Sequence, residues 1–136
     1  HNFVRTMLRL GRERDEIRVV SDQVGSPTWT RDLALALCKL IKEDVKNYVH
    51  FGGLNSCSWF ELANYTLKQA HQIGLIQNLP VVTPIQTHQY PLPAPRPAYS
   101  VLSTQRYQEL TGSQPMMWEE AIDSVLKRIH EKSQDE

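Results

Sequence analysis

The order of the first two elements limits the fold more than any other feature of this sequence. Apolar residues recur at helical spacing over residues 3–8, Gly11 and the charged run 12–16 end that pattern, and the short apolar run 17–20 follows. A helix followed at once by a short strand is typical of a layered α/β domain with parallel strands. The polar stretch 21–28, whose Gly and Pro break regular structure, is then expected as a loop at the sheet edge where such domains bind ligands.

Two helices are predicted from cap signals in the middle of the chain. Asp32 precedes an apolar stripe that runs to about Val45, and a short acidic residue there can accept hydrogen bonds from free helix amides. Because this stripe is broad, we expect the helix to be covered from more than one direction. The segment 58–61, Ser-Trp-Phe-Glu, matches a capping box and predicts a helix that stops near Gly74.

The second half of the chain is predicted to hold two further helices. Ser103 is expected to cap a short helix that Gly112 ends, and Pro115 suits the first turn of a last helix whose buried stripe includes Trp118. The polar tail 131–136 is expected to fray.

Two strands are predicted between these helices. Residues 48–51 favour a strand that Gly52-Gly53 closes, whereas residues 80–97 hold most of the prolines and predict an extended loop with a short strand near 81–85. The sequence thus predicts a few strands with about four to five helices, in one α/β unit.

Composition narrows the classes of function. The 136 residues carry no net charge, which disfavours duplex nucleic acid and anionic membranes as partners. Because no apolar run approaches the roughly 20 residues of a membrane span, a cytoplasmic location is expected. Cys38 and Cys57 lie in apolar stretches without metal-ligand spacing, so both are predicted to be buried thiols and no metal site is expected. The opening at His1 shows neither a leader nor an initiating Met, which suggests a start in mid-protein.

Four segments, in this order, resemble the dTDP-4-dehydrorhamnose reductases, members of the extended short-chain dehydrogenases/reductases. They are Asn2-Phe3-Val4-Arg5-Thr6-Met7-Leu8, Asp22-Gln23-Val24-Gly25-Ser26-Pro27-Thr28, Ser58-Trp59-Phe60-Glu61-Leu62-Ala63, and Tyr90-Pro91 leading into Arg96-Pro97-Ala98-Tyr99-Ser100-Val101-Leu102. The resemblance covers almost the whole chain. It implies the carboxy-terminal part of a Rossmann-like enzyme that reduces dTDP-4-dehydro-L-rhamnose to dTDP-L-rhamnose.

The resemblance also implies what this chain does not hold. In that family an amino-terminal half binds NADPH or NADH through a Gly-x-x-Gly-x-x-Gly turn and supplies a Tyr-x-x-x-Lys pair. This sequence has neither motif, since residues 65–68 place Tyr and Lys three positions apart inside an amphipathic helix. Residues 1–136 are therefore expected to be a single substrate-binding portion without catalytic, cofactor-binding or metal-ligating residues, and inactive alone. Mg in some family members and a homodimer of the intact protein are further implications.

Five residues are predicted to bind the dTDP-sugar. Arg96 presents fixed donors to a diphosphate or a sugar hydroxyl, or else it pairs with a nearby carboxylate or merely closes the loop. Tyr99 and Ser100 adjoin it and offer a stacking face and a hydroxyl, although some family members carry Asn in place of Tyr99. Gln23 and Thr28 follow the first strand and are expected to contact the substrate. Alternatively, Gln23 satisfies carbonyl groups of the loop, and Pro27-Thr28 directs the chain toward the next helix.

The three tryptophans differ in their predicted environments. Trp59 and Trp118 lie near the first turns of amphipathic helices, so core packing is predicted for both. Trp29 follows the proposed substrate loop and is expected to be partly exposed. Whether it lines the pocket is left open by the sequence.

Two other functions are compatible with the sequence. One is a non-catalytic binding subunit related to the regulatory subunit of methionine adenosyltransferase, and the other is a folded but inert piece with an open sheet edge that self-associates. The bacterial-looking motifs at 22–28 and 96–102 favour the reductase.

Overall fold

Five α-helices and four short strands make up the computed structural model, which describes residues 2–134. The helices are α1 Phe3–Glu13, α2 Thr30–Leu40, α3 Trp59–Gln72, α4 Gln105–Thr111 and α5 Trp118–Gln134, and a 3-10 turn spans Thr87–Gln89. The strands are β1 Glu16–Val20, β2 Val24–Gly25, β3 Cys57–Ser58 and β4 Val81–Ile85. This is the predicted α/β composition. Of the tail expected to fray, residues 131–134 continue α5, and residues 135–136 lie outside the described residues.

Two small sheets link the helices. β1 pairs with β4 in parallel, with Glu16 opposite Val81 and Val20 opposite Ile85, as expected for strands joined by a helix. β2 pairs with β3 in antiparallel orientation. Alternate residues of β1, Ile17 and Val19, are buried in the core that α1, α3 and α5 share. β1 is thereby fixed in the core, and its carboxyl end leads into the loop that begins at Ser21.

The first helix ends within the charged run that follows Gly11, as predicted, but Gly11 itself lies inside the helix. α1 continues to Glu13, and a Cβ on Gly11 would lie 2.6 Å from Leu67 Cδ2 and 3.3 Å from Ile76 Cδ1. The glycine instead allows α1 to approach α3 closely, which explains its place inside a helix despite its poor helix propensity.

The predicted bounds and environment of α2 were wrong. α2 begins at Thr30, with Trp29 at its N-cap, and it ends at Leu40. Asp32 lies in the first turn, where its carboxylate accepts a hydrogen bond from the Met116 backbone N–H at 2.9 Å and is thus engaged by another segment. Of the α2 residues only Ala36 is buried, and Leu35 and Leu37 are more than half exposed. The helix is exposed because α4 packs against only one side of it.

Residues 48–51 form no strand. Asn47 and Asn55 adopt positive φ angles of 68° and 62°, which turn the chain on either side of the segment. Phe51 packs edge-on against Tyr107 at 4.8 Å between ring centroids, so its burial comes from α4 rather than from a sheet. A Cβ on Gly53 would lie 2.1 Å from the Pro27 carbonyl oxygen, so this glycine serves a close backbone approach.

The cap predictions were partly confirmed. Ser58 and Glu61 form the capping box of α3, Gly74 follows its end with φ 77°, and Gly112 ends α4 in the left-handed conformation. Thr104 rather than Ser103 takes the N-cap position of α4.

The last helix begins three residues later than Pro115 suggested. Leu54 N–H donates to the Met116 carbonyl at 2.9 Å, and Trp118 N–H donates to the Leu54 carbonyl at 3.1 Å. These bonds hold residues 116–118 against the chain near Leu54 and delay the start of α5. No helix among residues 2–134 is long and apolar enough to cross a bilayer.

Candidate ligand-binding site

Two adjoining clefts open beside the loop that follows β1. Their volumes are about 370 and 410 Å³, and Gln23, Trp59 and Arg96 line both of them. The smaller cleft is completed by the β2–β3 region with Pro97 and Ser100, and the larger by α1, β1 and residues 90–92. Together they form a groove of the size that small-molecule ligands occupy. We call it the Arg96 cleft.

Thr87 holds the Gln23 side of the cleft in place. Asp22 accepts hydrogen bonds from the Thr87 hydroxyl at 2.7 Å and from its backbone N–H at 2.9 Å, and these bonds lower the pKa of Asp22 below its usual value. Gln23 Nε2 donates to the same hydroxyl at 3.0 Å, and the Gln23 side chain is buried, with 9% exposure for the residue. The turn after β1 is therefore tied to the turn after β4.

Backbone hydrogen bonds fix the Arg96 side of the cleft. Val24 N–H donates to the Ala98 carbonyl, and Ser100 N–H donates to the Val24 carbonyl, both at 2.9 Å. Arg96 is exposed, and no carboxylate among residues 2–134 lies within 4.0 Å of its guanidinium. The chain is thus anchored two residues beyond Arg96, which presents a cation without an ion-pair partner in the described structure.

Three of the five predicted binding residues lie together. Arg96, Gln23 and Ser100 line the smaller cleft, whereas Thr28 and Tyr99 line neither cleft. Thr28 Oγ1 donates to the Ser26 carbonyl at 3.0 Å and accepts from Gly53 N–H at 3.2 Å, which directs the loop. Tyr99 is 68% exposed and pairs through its backbone with Val24. Substrate contact by all five residues stays a prediction.

Trp59 is the cleft residue that the sequence interpretation missed. It does not lie in the core as predicted: it is 43% exposed and lines both parts of the cleft. Its ring packs against Phe3 with centroids 4.8 Å apart, which leaves other surface of the indole open. The sequence signal for this exposure is the position of Trp59 directly after the Ser58 cap, one turn before the buried part of α3.

The other two tryptophans lie elsewhere. Trp118 is buried as predicted and packs edge-on against Tyr65 at 5.1 Å between centroids. Trp29 is partly exposed as expected, but it does not line the Arg96 cleft.

The two cysteines differ. Cys57 is buried as predicted at the inner wall of the cleft, and its burial, with the nearby charges of Glu61 and Glu119, raises the pKa of its thiol to about 12. Cys38 is exposed on α2, so its predicted burial was wrong. Among residues 2–134 no group of three or more His, Cys, Asp or Glu side chains could hold a metal ion.

The short parallel sheet, its helices and the cleft at the carboxyl end of β1 define a ligand-binding α/β domain of the Rossmann-like extended short-chain dehydrogenase/reductase type. The chain belongs to the RmlD substrate binding domain family, whose model matches residues 1–131. The family resemblance expected from the motifs is thereby confirmed.

Individual relatives agree with this assignment. The chain is 43% identical over 126 residues to the spore coat polysaccharide biosynthesis protein SpsK of Bacillus subtilis (strain 168), covering 93% of this chain and 42% of that protein. It is 36% identical to a crystal structure of a dTDP-4-dehydrorhamnose reductase from Clostridium acetobutylicum ATCC 824, with a TM-score of 0.84 and coverage of 96% of this chain and 44% of that one.

A further solved relative contains a cofactor. The dTDP-4-dehydrorhamnose reductase of Bacillus anthracis str. Ames, in complex with NADP, is 38% identical with a TM-score of 0.77, covering 90% of this chain and 41% of that one. The chain thus spans less than half the length of each of these three relatives.

Proposed function

We propose that this chain is the substrate-binding part of a dTDP-4-dehydrorhamnose reductase. The intact protein reduces dTDP-4-dehydro-L-rhamnose to dTDP-L-rhamnose in nucleotide-sugar and cell-surface polysaccharide biosynthesis. The observation that carries the proposal is the Arg96 cleft, in which Arg96, Gln23 and Ser100 converge in a chain of the RmlD substrate binding domain family.

The chemistry of the cleft suits a nucleotide diphosphate sugar. The Arg96 guanidinium matches the paired oxygens of a diphosphate. The hydrogen bonds between Val24 and residues Ala98 and Ser100 anchor the chain just beyond it. One N–H of the Gln23 amide donates to Thr87, and the Ser100 hydroxyl donates to the Val24 carbonyl at 3.3 Å. We therefore assign the side-chain oxygens of Gln23 and Ser100, as acceptors, to ligand hydroxyl groups. The open surface of Trp59 offers a planar ring on which a pyrimidine base or a sugar face stacks.

A nicotinamide cofactor belongs to the proposed intact enzyme, since the Bacillus anthracis relative is a complex with NADP. Such a cofactor supplies hydride to the sugar carbonyl. The residues of this chain do not fit it, because its six glycines form no Gly-x-x-Gly-x-x-Gly turn at a helix start. We therefore assign to this chain the binding and orientation of the sugar nucleotide alone, with NADPH or NADH bound by residues outside it.

We further propose a cytoplasmic location and a homodimer for the intact protein. Residues 2–134 provide no cluster of ligands for magnesium, so this chain offers no support for a magnesium site. Neither the relatives described above nor a feature of the described structure supports the regulatory-subunit alternative.

Calorimetric titration of the chain with dTDP tests the binding role. We expect saturable heat, and we expect Arg96→Ala to weaken binding by about 10-fold or more, because a charge-assisted hydrogen bond to phosphate contributes about 1.5–3 kcal/mol. Arg14→Ala, which removes an exposed arginine outside the cleft, is the matched control and should bind as the parent does. Absence of heat up to millimolar dTDP, or equal losses in the two variants, contradicts the assignment.

The intact enzyme provides a second test. Arg96→Ala should raise the KM for the nucleotide sugar while the affinity for the nicotinamide cofactor stays nearly level. An equal loss of affinity for both ligands would show that Arg96 does not act in substrate binding.

A further inference from the structure

A second concave surface, separate from the Arg96 cleft, surrounds Trp29. Two grooves of about 470 and 590 Å³ meet there, and they share Trp29, Arg128 and Glu131 as lining residues. Neither groove shares a lining residue with the Arg96 cleft. We call the two grooves together the Trp29 face.

The Trp29 face carries an excess of positive charge. Seven of its lining residues are charged, five of them basic and two acidic: Arg5, Arg31, Lys127, Arg128 and Lys132, against Asp32 and Glu131. The whole chain has 15 basic and 15 acidic residues, so this excess is a local feature rather than a reflection of composition. Such a concentration of one sign attracts anions.

The basic side chains of this face are left without carboxylate partners in the described structure. No carboxylate oxygen among residues 2–134 lies within 4.0 Å of any of these five cations. Asp32 is engaged elsewhere, because its carboxylate accepts the Met116 N–H at 2.9 Å. The positive charge is therefore available to a ligand.

Trp29 organises two of the arginines. The guanidinium carbon of Arg31 lies 5.6 Å from the Trp29 ring centroid, and that of Arg128 lies 5.4 Å from it. Cation–π attraction at such distances restrains both side chains without consuming their N–H donors. The donors are thus held in position before a ligand arrives, which reduces the entropy that binding costs.

From this arrangement we infer that the Trp29 face is a second binding site, for a small oligophosphate anion. Restrained guanidinium forks match phosphate oxygens in pairs, and the lysines add point charges for further phosphate groups. Groove volumes of this size suit a small molecule. The site is independent of the proposed reductase function, because it shares no residue with the Arg96 cleft.

Titration with inorganic tripolyphosphate, followed by tryptophan fluorescence and calorimetry, tests the inference. We expect saturable binding that weakens as salt rises, and at least a 10-fold loss of affinity in the double variant Arg31→Gln/Arg128→Gln. The matched control Arg14→Gln/Lys42→Gln removes the same charge from exposed positions elsewhere and should change affinity less than 2-fold. Trp29→Phe should abolish the fluorescence change.

Two further arms separate the possible outcomes. Arg96→Ala should leave tripolyphosphate binding intact even where it abolishes dTDP binding, so failure of one site is distinguishable from failure of the other. A nucleoside triphosphate that binds the Arg96→Ala variant more tightly than tripolyphosphate does would support the site and show that it also accepts a nucleoside. Equal losses in both double variants, or binding only to an acidic peptide and not to tripolyphosphate, would overturn the inference.

Discussion

Trp59 shows how one side chain changes role through its position in a helix. It belongs to the first turn of α3, and the apolar residues of that helix with least exposure, Ala63, Leu67 and Ala70, lie one to three turns further along. The indole therefore projects beyond the packed part of the core and forms the wall between the two parts of the Arg96 cleft. A large ring that is partly exposed beside a cation is suited to stack on a planar ligand.

Replacement of Trp59 tests this role. Trp59→Ala should weaken dTDP binding by about 10-fold, since aromatic stacking on a base contributes about 1–3 kcal/mol. Trp59→Phe should retain most of the affinity, and Trp29→Ala should leave it unchanged because Trp29 lies outside the cleft. Calorimetry with dTDP gives all three values, and equal affinities for parent and Trp59→Ala would remove Trp59 from the binding site.

The two thiols should react at very different rates. Cys38 is exposed, whereas Cys57 is buried with a pKa raised to about 12 from the ordinary 9.0, chiefly by desolvation. At pH 8 a thiol-reactive dye should therefore modify Cys38 rapidly and Cys57 only on unfolding, because the thiolate is the reactive species. Mass spectrometry of labelled peptides measures both rates, and Cys38→Ser removes the fast phase. Comparable rates in the folded chain would contradict the burial of Cys57.

At the scale of elements, two serines that look alike in the sequence behave differently. Ser58 Oγ accepts the Glu61 N–H at 3.1 Å, and the Glu61 carboxylate accepts the Ser58 N–H at 2.7 Å, which closes a reciprocal capping box. Ser103 lies one residue before the N-cap of α4, and its hydroxyl is 3.5 Å from the Gln105 nitrogen. The difference arises because Ser58 is also held in the β2–β3 pair, which sets the entry angle of α3.

Alanine substitutions should separate these two caps. Ser58→Ala is expected to lower the free energy of unfolding by about 1 kcal/mol, whereas Ser103→Ala should change it by no more than a few tenths of a kcal/mol. Chemical denaturation of the two variants provides the comparison. A loss in Ser103→Ala as large as that in Ser58→Ala would mean that the 3.5 Å contact acts as a true cap.

At the scale of the whole molecule, a strand edge and an apolar helix face have no partner among the described residues. The outer edge of β1 pairs with no strand there, since its sheet consists of β1 and β4. Along α2, Leu35 is 55% and Leu37 53% exposed, and Ile41 beyond its end is more exposed still. Open strand edges and contiguous exposed apolar residues both favour association between molecules.

The chain by itself should therefore self-associate through α2. Leu37→Glu is expected to shift sedimentation toward the monomer at micromolar concentration, because a charge on the apolar face must be desolvated on contact. Leu79→Glu adds the same charge at an exposed leucine away from α2 and should leave association unchanged. Identical sedimentation of both variants would exclude the α2 face as the contact.

Local signals in the sequence determined several elements without help from the rest of the chain. The capping box at Ser58, the stop at Gly112 and the strand at 81–85 all depend on neighbouring residues, and all three are in the structure. The motifs around Gln23 and Arg96 likewise identified the family, because a motif keeps its residue types together along the chain.

Tertiary structure decided what distant segments impose on one another. Contact between α1 and α3 explains why Gly11 lies inside a helix, and the Met116 N–H donates a hydrogen bond to the Asp32 carboxylate. The backbone hydrogen bonds of Val24 bring Arg96 close to Gln23. Thr28 and Tyr99 remain outside the cleft. Tertiary packing also determines how far Trp59 and α2 are exposed. Each depends on packing between residues far apart in sequence, whose distances neither periodicity nor composition encodes.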